Sequence, residues 1–143
     1  MNNPFREDLV SRNLAEACSV VIFGATGDLT HRKLIPALYN LAIDGELPAG
    51  VKILGFARRD WSDKFFCEGL KKLNRQVSRT GHDEEIWKSL AANIEYHKSE
   101  FQDKDGYKRL SDRLDEIDRE RGGKGNRLFY IASAPEYLSL THI

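Results

Sequence analysis

The sequence predicts an α/β fold with a doubly wound, mainly parallel sheet. Short apolar runs rich in β-branched residues alternate with segments of helical periodicity, an order typical of parallel strands joined by helical crossovers. Two glycines, Gly24 and Gly27, end the first run, and a basic helical segment follows at once. Arg58-Arg59 and Ala134-Pro135 follow the ends of later strands. Ligands in such sheets bind beyond the carboxyl ends of the strands, so the sequence also predicts a site at that edge.

The composition excludes several classes of partner for this chain of 143 residues. Lys and Arg total 22 and Asp and Glu total 22, so the formal net charge is zero. A balanced chain gives no reason to expect binding to nucleic acid or to an anionic membrane surface. No apolar run reaches the roughly 18 residues of a membrane span, and residues 1–14 lack the apolar centre of a signal peptide. We therefore expect a cytoplasmic protein, with Cys18 and Cys67 as small core residues.

The first strand and helix lie on either side of the glycine pair. Ser19–Phe23 is a continuous apolar run, as expected of a strand buried on both faces. Leucines at helical spacing predict a helix over about residues 30–43. Pro36 conflicts with a regular helix because it has no backbone N–H. The helix therefore either starts late or has an irregular first turn.

The middle of the chain predicts two strands and two helices. Val51–Ala57 is the second strand, and Ser62 is positioned to cap an amphipathic helix that continues to about Val77. Asp83 is positioned to cap a shorter helix, and Ile94–His97 is the third strand.

The last third of the chain predicts a long helix and a fourth strand. The helix begins at Asp103 or Asp105, and its charged face is expected to be solvated. Arg127–Ala132 is the fourth strand, and a last helix begins near Ala134. The apolar stripe of the long helix comprises Tyr107, Leu110, Leu114 and Ile117.

The glycine pair has the position of a phosphate-binding turn. A strand, a tight turn and a helix follow one another, so helix N–H groups point at the turn and the glycines let an anion approach. The spacing is Gly-x-x-Gly, shorter than the full dinucleotide fingerprint, with Thr30 in the place of a third glycine. A turn that only reverses the chain is the alternative reading. Asp28, an acid within this turn, is expected to cap the helix.

Two arginines at the end of the second strand favour NADP as the ligand. An NAD site usually carries an acid there, whereas a guanidinium suits the 2′-phosphate of NADP because it donates two parallel hydrogen bonds. Arg58 and Arg59 follow Ala57 directly. Asp60 is the rival, because it is placed to accept the ribose hydroxyl of NAD. Solvation of Arg58 at the surface is the reading without a ligand.

His31, Arg32 and Lys33 place cations in the first helical turn. Cations there oppose the helix dipole, and a nearby phosphate would offset that effect. Successive helical residues point about 100° apart, so we expect one or two of the three to face the ligand. No local pattern indicates a metal, a nucleophile or an ATP P-loop. The other histidines, His82, His97 and His142, have no catalytic neighbours in the sequence.

Three segments of the chain resemble the glucose-6-phosphate dehydrogenase family. Phe23–Pro36 is similar to the family's coenzyme motif, including the proline. Gly55–Arg58 resembles the end of its second strand, and Gly125–Ala132, followed by Pro135, resembles the strand before its nicotinamide site. The resemblance runs in register from about Ser19 to the last residue. It implies a Rossmann-like fold that binds NADP, and hydride transfer from C1 of glucose 6-phosphate to NADP⁺.

The resemblance also implies roles for individual residues. Arg58 would bind the 2′-phosphate, with Arg59 as a helper or as a neighbour that tunes selectivity, and Lys33 would help to position the sugar phosphate of the substrate. Residues after the third strand would lie beside the adenosine, and residues after the fourth strand would border the nicotinamide ribose. The turn would hold the pyrophosphate. These remaining cofactor residues are Gly24, Ala25, Thr26, Gly27, Asp28, Leu29, Thr30, His31, Glu100, Phe101, Ala134 and Pro135.

Members of the family continue into two segments that these 143 residues do not contain. One carries a substrate-binding lysine, and the other carries the histidines that bind the substrate phosphate and remove the C1 hydroxyl proton. We therefore expect residues 1–17 to be a flexible leader and residues 18–143 to be a dinucleotide-binding domain, incomplete at its C-terminus. Such a portion of a homo-oligomeric parent would bind NADP without turnover, and glucose 6-phosphate only together with the missing substrate domain.

Two other functions stay open on the sequence alone. Gly-Ala-Thr-Gly also opens non-catalytic NADP-binding or redox-sensing modules, which usually carry a later glycine where this chain has Thr30 or His31. A protein-interaction domain of the same shape, with an empty site, is the third hypothesis. Nucleotide binding by the folded chain would distinguish a dehydrogenase portion or an NADP-binding module from such a protein-interaction domain.

Overall fold

The computed structural model describes residues 18–47, 50–77, 83–120 and 126–132. Within these ranges, a single sheet is formed by the strands β1 Cys18–Phe23, β2 Lys52–Ala57, β3 Ile94–Lys98 and β4 Asn126–Ile131. A π-helical turn over Thr30–Leu34 leads into α1 Ile35–Ile43. The later helices are α2 Asp63–Val77, α3 Glu84–Ala91 and α4 Lys104–Glu120.

The sheet is parallel throughout and has the strand order β3-β2-β1-β4. The connection from β3 to β4 returns across the sheet, so the direction of strand addition reverses beside β1. A crevice forms at such a switch point, outside the carboxyl ends of the strands. The predicted α/β fold with a doubly wound parallel sheet is confirmed.

Two apolar layers cover the two faces of the sheet. Alternate side chains of β1 point to opposite faces, so Ile22 joins one layer and Val21 joins the other. Helices α1, α2 and α3 complete the first layer, and α4 completes the second. Val21 and Ile22 are both 0% exposed, which confirms the prediction that this strand is buried on both faces. Cys18 and Cys67 are free thiols that pack against the first layer.

The caps of α2, α3 and α4 agree with the sequence analysis. Ser62 Oγ accepts a hydrogen bond from the N–H of Phe65 at 3.1 Å, and Asp83 accepts two N–H groups of α3. Asp103 Oδ1 accepts the N–H of Asp105 at 3.0 Å, so Asp103 is the residue that caps α4. Each cap satisfies N–H groups that have no acceptor within the helix.

A wider helical turn accommodates Pro36. Residues 28 and 29 are already helical, and the N–H of Ile35 donates to the carbonyl of Thr30, five positions earlier. In a regular α-helix, the proline ring would meet the carbonyl four positions before it. The π-helical turn relieves this contact and lets the chain continue into α1 with Pro36 buried. The helix therefore has the irregular first turn, and it does not start late.

The charged side chains of α4 are not all solvated as predicted, since Asp118 is only 20% exposed and pairs with Arg127 of β4. Arg113 is only 25% exposed, and its Nε donates to Glu95 Oε1 of β3 at 2.9 Å. At the opposite edge of the sheet, β4 pairs with β1 and exposes the apolar stretch Leu128–Ile131. Among the described helices, none has both the length and the apolar character that a membrane span requires.

Candidate functional site

The turn after β1 is built from backbone hydrogen bonds. Gly24 has φ 80°, a left-handed conformation that favours glycine, and its N–H donates to the carbonyl of Phe56 at 2.9 Å. The N–H of Gly27 donates to the carbonyl of Gly24 at 3.0 Å. A Cβ atom on Gly27 would lie 3.1 Å from that same carbonyl oxygen. The shape of the turn therefore favours glycine at position 24, and a side chain at position 27 would press against the Gly24 carbonyl.

The helix after this turn presents unpaired N–H groups. Its first backbone bond of α type runs from the N–H of His31 to the carbonyl of Gly27, at 3.4 Å. The N–H groups of residues 28–30 therefore have no acceptor within the helix. Together with the helix dipole they make a site for an anion. Because the turn ends β1, this anion site lies at the carboxyl edge of the sheet, next to the end of β2.

Asp28 does not cap the helix. No side-chain hydrogen bond caps the π-helical turn, and the Asp28 carboxylate instead pairs with Arg32 Nε at 2.7 Å, one helical turn later. The prediction of a cap was wrong because Asp28 lies inside the helix, where its side chain meets the residue four positions on. The pair is largely exposed and leaves little net charge on this side of the turn.

Two of the predicted turn residues are enclosed by protein. Thr30 is 0% exposed, and its hydroxyl oxygen has no hydrogen-bond partner. Ala25 is also 0% exposed and belongs to the first apolar layer. Thr26 is half-buried, whereas Leu29 is 42% exposed. Ala25 and Thr30 therefore present no surface to a ligand, backbone included.

The ring of His31 braces the turn. Its Nδ1 lies 2.9 Å from the carbonyl oxygen of Gly27, and the edge of the ring faces Phe66 of α2. A carbonyl only accepts hydrogen bonds, so Nδ1 carries the proton in this contact. Lys33 is exposed and, within the part of the chain that the structure describes, forms no ion pair. Of the three cations in this turn, Lys33 thus has the freest charge.

The loop after β2 carries exposed charges. Arg58, Arg59 and Asp60 are all exposed. The Arg59 guanidinium lies 5.7 Å from the centre of the Trp61 ring, a cation–π contact. Among the described residues, Arg58 has no ion pair or hydrogen bond to its guanidinium. Arg58 is therefore free to hold an external anion beside the turn after β1.

Tyr96 of β3 anchors this loop, although the sequence analysis does not single it out. Its hydroxyl donates to the carbonyl of Arg59 at 2.5 Å, and its N–H donates to Asp63 Oδ1 at 2.7 Å. Its ring also packs against Trp61, at 6.1 Å between centroids. Burial raises the pKa of Tyr96 to about 12, so the hydroxyl remains a donor at neutral pH. The alternation of Ile94 with Tyr96 along β3 predicts only that both face the core.

The segment after β3 meets the same edge of the sheet. The N–H of Ser99 donates to the carbonyl of Ala57 at 2.8 Å, which extends the pairing of β3 with β2 by one step. Glu100 is exposed, whereas Phe101 is 8% exposed and its ring packs against Phe56 at 6.1 Å between centroids. Of this predicted pair, only the Glu100 side chain is exposed at the edge of the sheet.

The structure brings together most, but not all, of the predicted site. The carboxyl ends of three adjacent strands carry Gly24–His31, Arg58, Arg59 and Glu100. Lys33 lies further along the π-helical turn that follows β1. Ala134 and Pro135 lie outside the described residues, as do residues 1–17, His82 and His142.

His97 faces the other side of β3 and takes no part in this edge. Its Nε2 atom is buried without a hydrogen-bond partner. Burial lowers the pKa of His97, although the nearby carboxylates of Glu95 and Asp63 act in the opposite direction. The ring is therefore a neutral packing residue between β3 and α4.

Comparisons with known proteins identify the family of this chain. Residues 21–142 match the family model described as "Glucose-6-phosphate dehydrogenase, NAD binding domain". Glucose-6-phosphate 1-dehydrogenase of Chlamydia pneumoniae is 41% identical over 97% of this chain, and that of Chlamydia muridarum (strain MoPn / Nigg) is 45% identical over 84%. This chain spans 28% and 24% of their respective lengths.

A solved structure is similar to this chain in both fold and sequence. It is described as glucose-6-phosphate dehydrogenase in complex with its substrate glucose-6-phosphate, and it superposes with a TM-score of 0.81 at 30% identity. The alignment covers 87% of this chain and 26% of that one. The chain belongs to the glucose-6-phosphate dehydrogenase family and corresponds to its NAD-binding domain.

Proposed function

We propose that this chain binds NADP⁺ as the coenzyme-binding portion of a glucose-6-phosphate 1-dehydrogenase. The parent reaction would oxidise C1 of glucose 6-phosphate, giving 6-phosphogluconolactone and NADPH. The observation that carries the proposal is the pairing of two anion-binding features at neighbouring strand ends. One is the pair of N–H groups of the exposed residues Asp28 and Leu29, which have no acceptor within the helix, and the other is the unpaired guanidinium of Arg58.

The turn after β1 fits the pyrophosphate of a dinucleotide. Gly24 and Gly27 give the turn its tight shape, and the backbone of residues 26–29 and 31 would supply donors and van der Waals contacts to the adenosine side. The Asp28–Arg32 pair keeps the carboxylate occupied. This part of the site would contact the pyrophosphate, which NAD⁺ and NADP⁺ share, so it would not distinguish the two coenzymes.

The loop after β2 supports NADP⁺ over NAD⁺. The 2′-phosphate would meet Arg58, which can donate two parallel hydrogen bonds, with Arg59 as a second cation. Asp60 is 88% exposed and lies 3.8 Å from Lys98 Nζ, so its charge is partly offset. A free acid at this place would instead favour the ribose hydroxyl of NAD⁺.

The remaining contacts follow the order of the strand ends. Glu100 would lie beside the adenosine, with the backbone of Phe101, and Ala134 and Pro135 would border the nicotinamide ribose. Lys33 would help to position the phosphate of the sugar. The bound nicotinamide ring would supply the hydride acceptor. The residues of this chain would hold and orient the coenzyme, and the proton acceptor for the C1 hydroxyl would come from elsewhere in the parent enzyme.

Calorimetric titration of the 143-residue chain tests this proposal. We expect saturable binding of NADP⁺, weaker binding of NAD⁺, and no dehydrogenase turnover. Arg58→Ala should lower the affinity for NADP⁺ roughly 10- to 100-fold, the loss expected for hydrogen bonds to a charged group. The affinity for NAD⁺ should stay unchanged. Arg119→Ala is the matched control, because Arg119 is also exposed but lies on α4. Absence of coenzyme binding by the folded chain would contradict the proposal, as would equal losses for both coenzymes.

A further inference from the structure

The end of β3 contributes a third cation to the loop after β2. Lys98 is the register partner of Ala57, the last residue of β2, so it lies directly beside the start of that loop. Its Nζ atom is 3.8 Å from Asp60 Oδ1. Lys98 shares the face of β3 that carries Tyr96, because the two residues are separated by one position. Neither Lys98 nor Tyr96 is recognisable from the order of residues along the chain.

The loop after β2 is held in place by contacts that do not involve Lys98. Tyr96 binds the Arg59 carbonyl through its hydroxyl, and Trp61 packs on the Tyr96 ring. Asp60 lies between Arg59 and Trp61, so its backbone position is set from both sides. The Lys98 side chain is 56% exposed and the Asp60 side chain is 88% exposed, so their pair adds little to stability. Its consequence is the charge of the loop.

We infer that Lys98 is a specificity-determining residue that favours NADP⁺ by neutralising Asp60. This inference rests on the proposed coenzyme function. An unpaired Asp60 carboxylate would repel a 2′-phosphate held by Arg58 and would attract the 2′-hydroxyl of NAD⁺. Because Lys98 pairs with Asp60, no unpaired carboxylate of the loop offsets the charges of Arg58 and Arg59. The ammonium group thus acts through Asp60 and does not contact the coenzyme.

Binding of both coenzymes to a double-mutant cycle tests the inference. Lys98→Ala should lower the ratio of NADP⁺ affinity to NAD⁺ affinity by about three- to fivefold, the range expected for an exposed charge pair. In the Asp60→Asn background, the same substitution should change the ratio by less than about twofold. Lys98→Arg should retain the wild-type ratio. Lys108→Ala is the control, because Lys108 is exposed on α4 and remote from the loop.

Each result either supports or overturns the inference. An equal loss of NADP⁺ affinity in both backgrounds would mean that Lys98 contacts the phosphate directly, which contradicts action through Asp60. No change in the ratio for Lys98→Ala would also overturn the inference. If Arg58→Ala still weakens NADP⁺ in that case, the proposed function stands alone. If the folded wild-type chain binds neither coenzyme, both proposals fail together.

Discussion

The carboxyl ends of β1 and β2 lie side by side, yet they are built in opposite ways. The turn after β1 turns its side chains inward or pairs them. Ala25 and Thr30 are buried. The His31 ring is hydrogen-bonded to the Gly27 carbonyl within the turn, and Asp28 is paired with Arg32. What remains accessible is the Leu29 side chain, the paired charges of Asp28 and Arg32, and part of the backbone. The loop after β2, in contrast, is anchored through backbone and ring contacts and exposes its charged side chains.

This difference separates two tasks of dinucleotide recognition. Backbone N–H groups at a helix start bind any pyrophosphate, because they respond to negative charge and not to the identity of the nucleotide. Exposed guanidinium groups bind a 2′-phosphate, which only NADP carries. We therefore expect changes in the turn to affect both coenzymes equally and changes in the loop to affect their ratio.

The largest effect is expected for Gly24→Val. A β-branched residue at φ 80° is strained, so the variant should lose about 2 kcal/mol of unfolding free energy and bind neither coenzyme. Chemical denaturation and calorimetric titration measure the two effects. Gly69→Ala is the control, because no atom lies within 4 Å of the added Cβ and alanine favours a helix. Loss of only one of the two coenzymes in Gly24→Val would contradict the proposed division between turn and loop.

A smaller and more selective effect is expected for Tyr96→Phe. The substitution removes the hydrogen bond to the Arg59 carbonyl, which should cost about 1 kcal/mol of stability and weaken NADP⁺ about fivefold. NAD⁺ should bind nearly as before. A proportional loss for both coenzymes would show that Tyr96 supports the whole edge of the sheet and not the loop.

The same variant has a signature at high pH. The folded-state pKa of Tyr96 is raised from 10 to about 12, so the folded protein holds this proton more tightly than the unfolded chain. The resulting stability is present below pH 10 and is lost as the pH rises through about 12. Urea denaturation between these values should show a shallower decline for Tyr96→Phe than for the wild type. An unchanged decline would contradict the burial of this hydroxyl.

A weak effect in the opposite direction is expected for Asp28→Asn. The carboxylate lies beside the proposed pyrophosphate site, and its pairing with Arg32 already offsets most of its charge. The variant should bind both coenzymes up to about twofold more tightly, without a change in their ratio. Arg32→Gln should weaken both to a similar degree. A shift in the ratio for either variant would mean that the turn also reads the 2′-phosphate.

The smallest effect on coenzyme binding is expected for His97→Leu, on the opposite face of β3. Burial lowers the folded-state pKa of His97 below its ordinary value near 6.5, so the stability that the neutral ring provides is present above pH 6.5 and is lost as the pH falls further. The variant should lose part of this acid sensitivity in thermal unfolding between about pH 7 and 5. Any change in the coenzyme ratio would contradict the assignment of the site to one face.

The sequence predicts the fold more completely than the site. The alternation of apolar runs with amphipathic helices specifies β1–β4, and capping residues such as Ser62, Asp83 and Asp103 mark helix starts. These are local patterns of spacing and hydrogen bonding. The π-helical turn follows from Pro36, although the sequence shows only that the first turn is irregular, not how the backbone adapts.

The missed parts of the site depend on register between strands. Lys98 reaches Asp60 because β3 pairs with β2 in parallel, with Lys98 opposite Ala57. Tyr96 holds the Arg59 carbonyl for the same reason. No spacing along the chain encodes that pairing. The error at Asp28 has a different origin, since a one-residue change in the start of a helix converts a capping position into a pairing position.

Backbone amide chemical shifts of the labelled 143-residue chain, measured during titration with NADP⁺ and then with NAD⁺, test the central claim most directly. The account predicts that both coenzymes shift the amides of residues 27–31, and that NADP⁺ alone shifts those of residues 58–60 and Lys98 strongly. Equal shifts in the loop with both coenzymes would contradict the division between a common pyrophosphate turn and a 2′-phosphate loop. So would shifts of the loop without shifts of the turn.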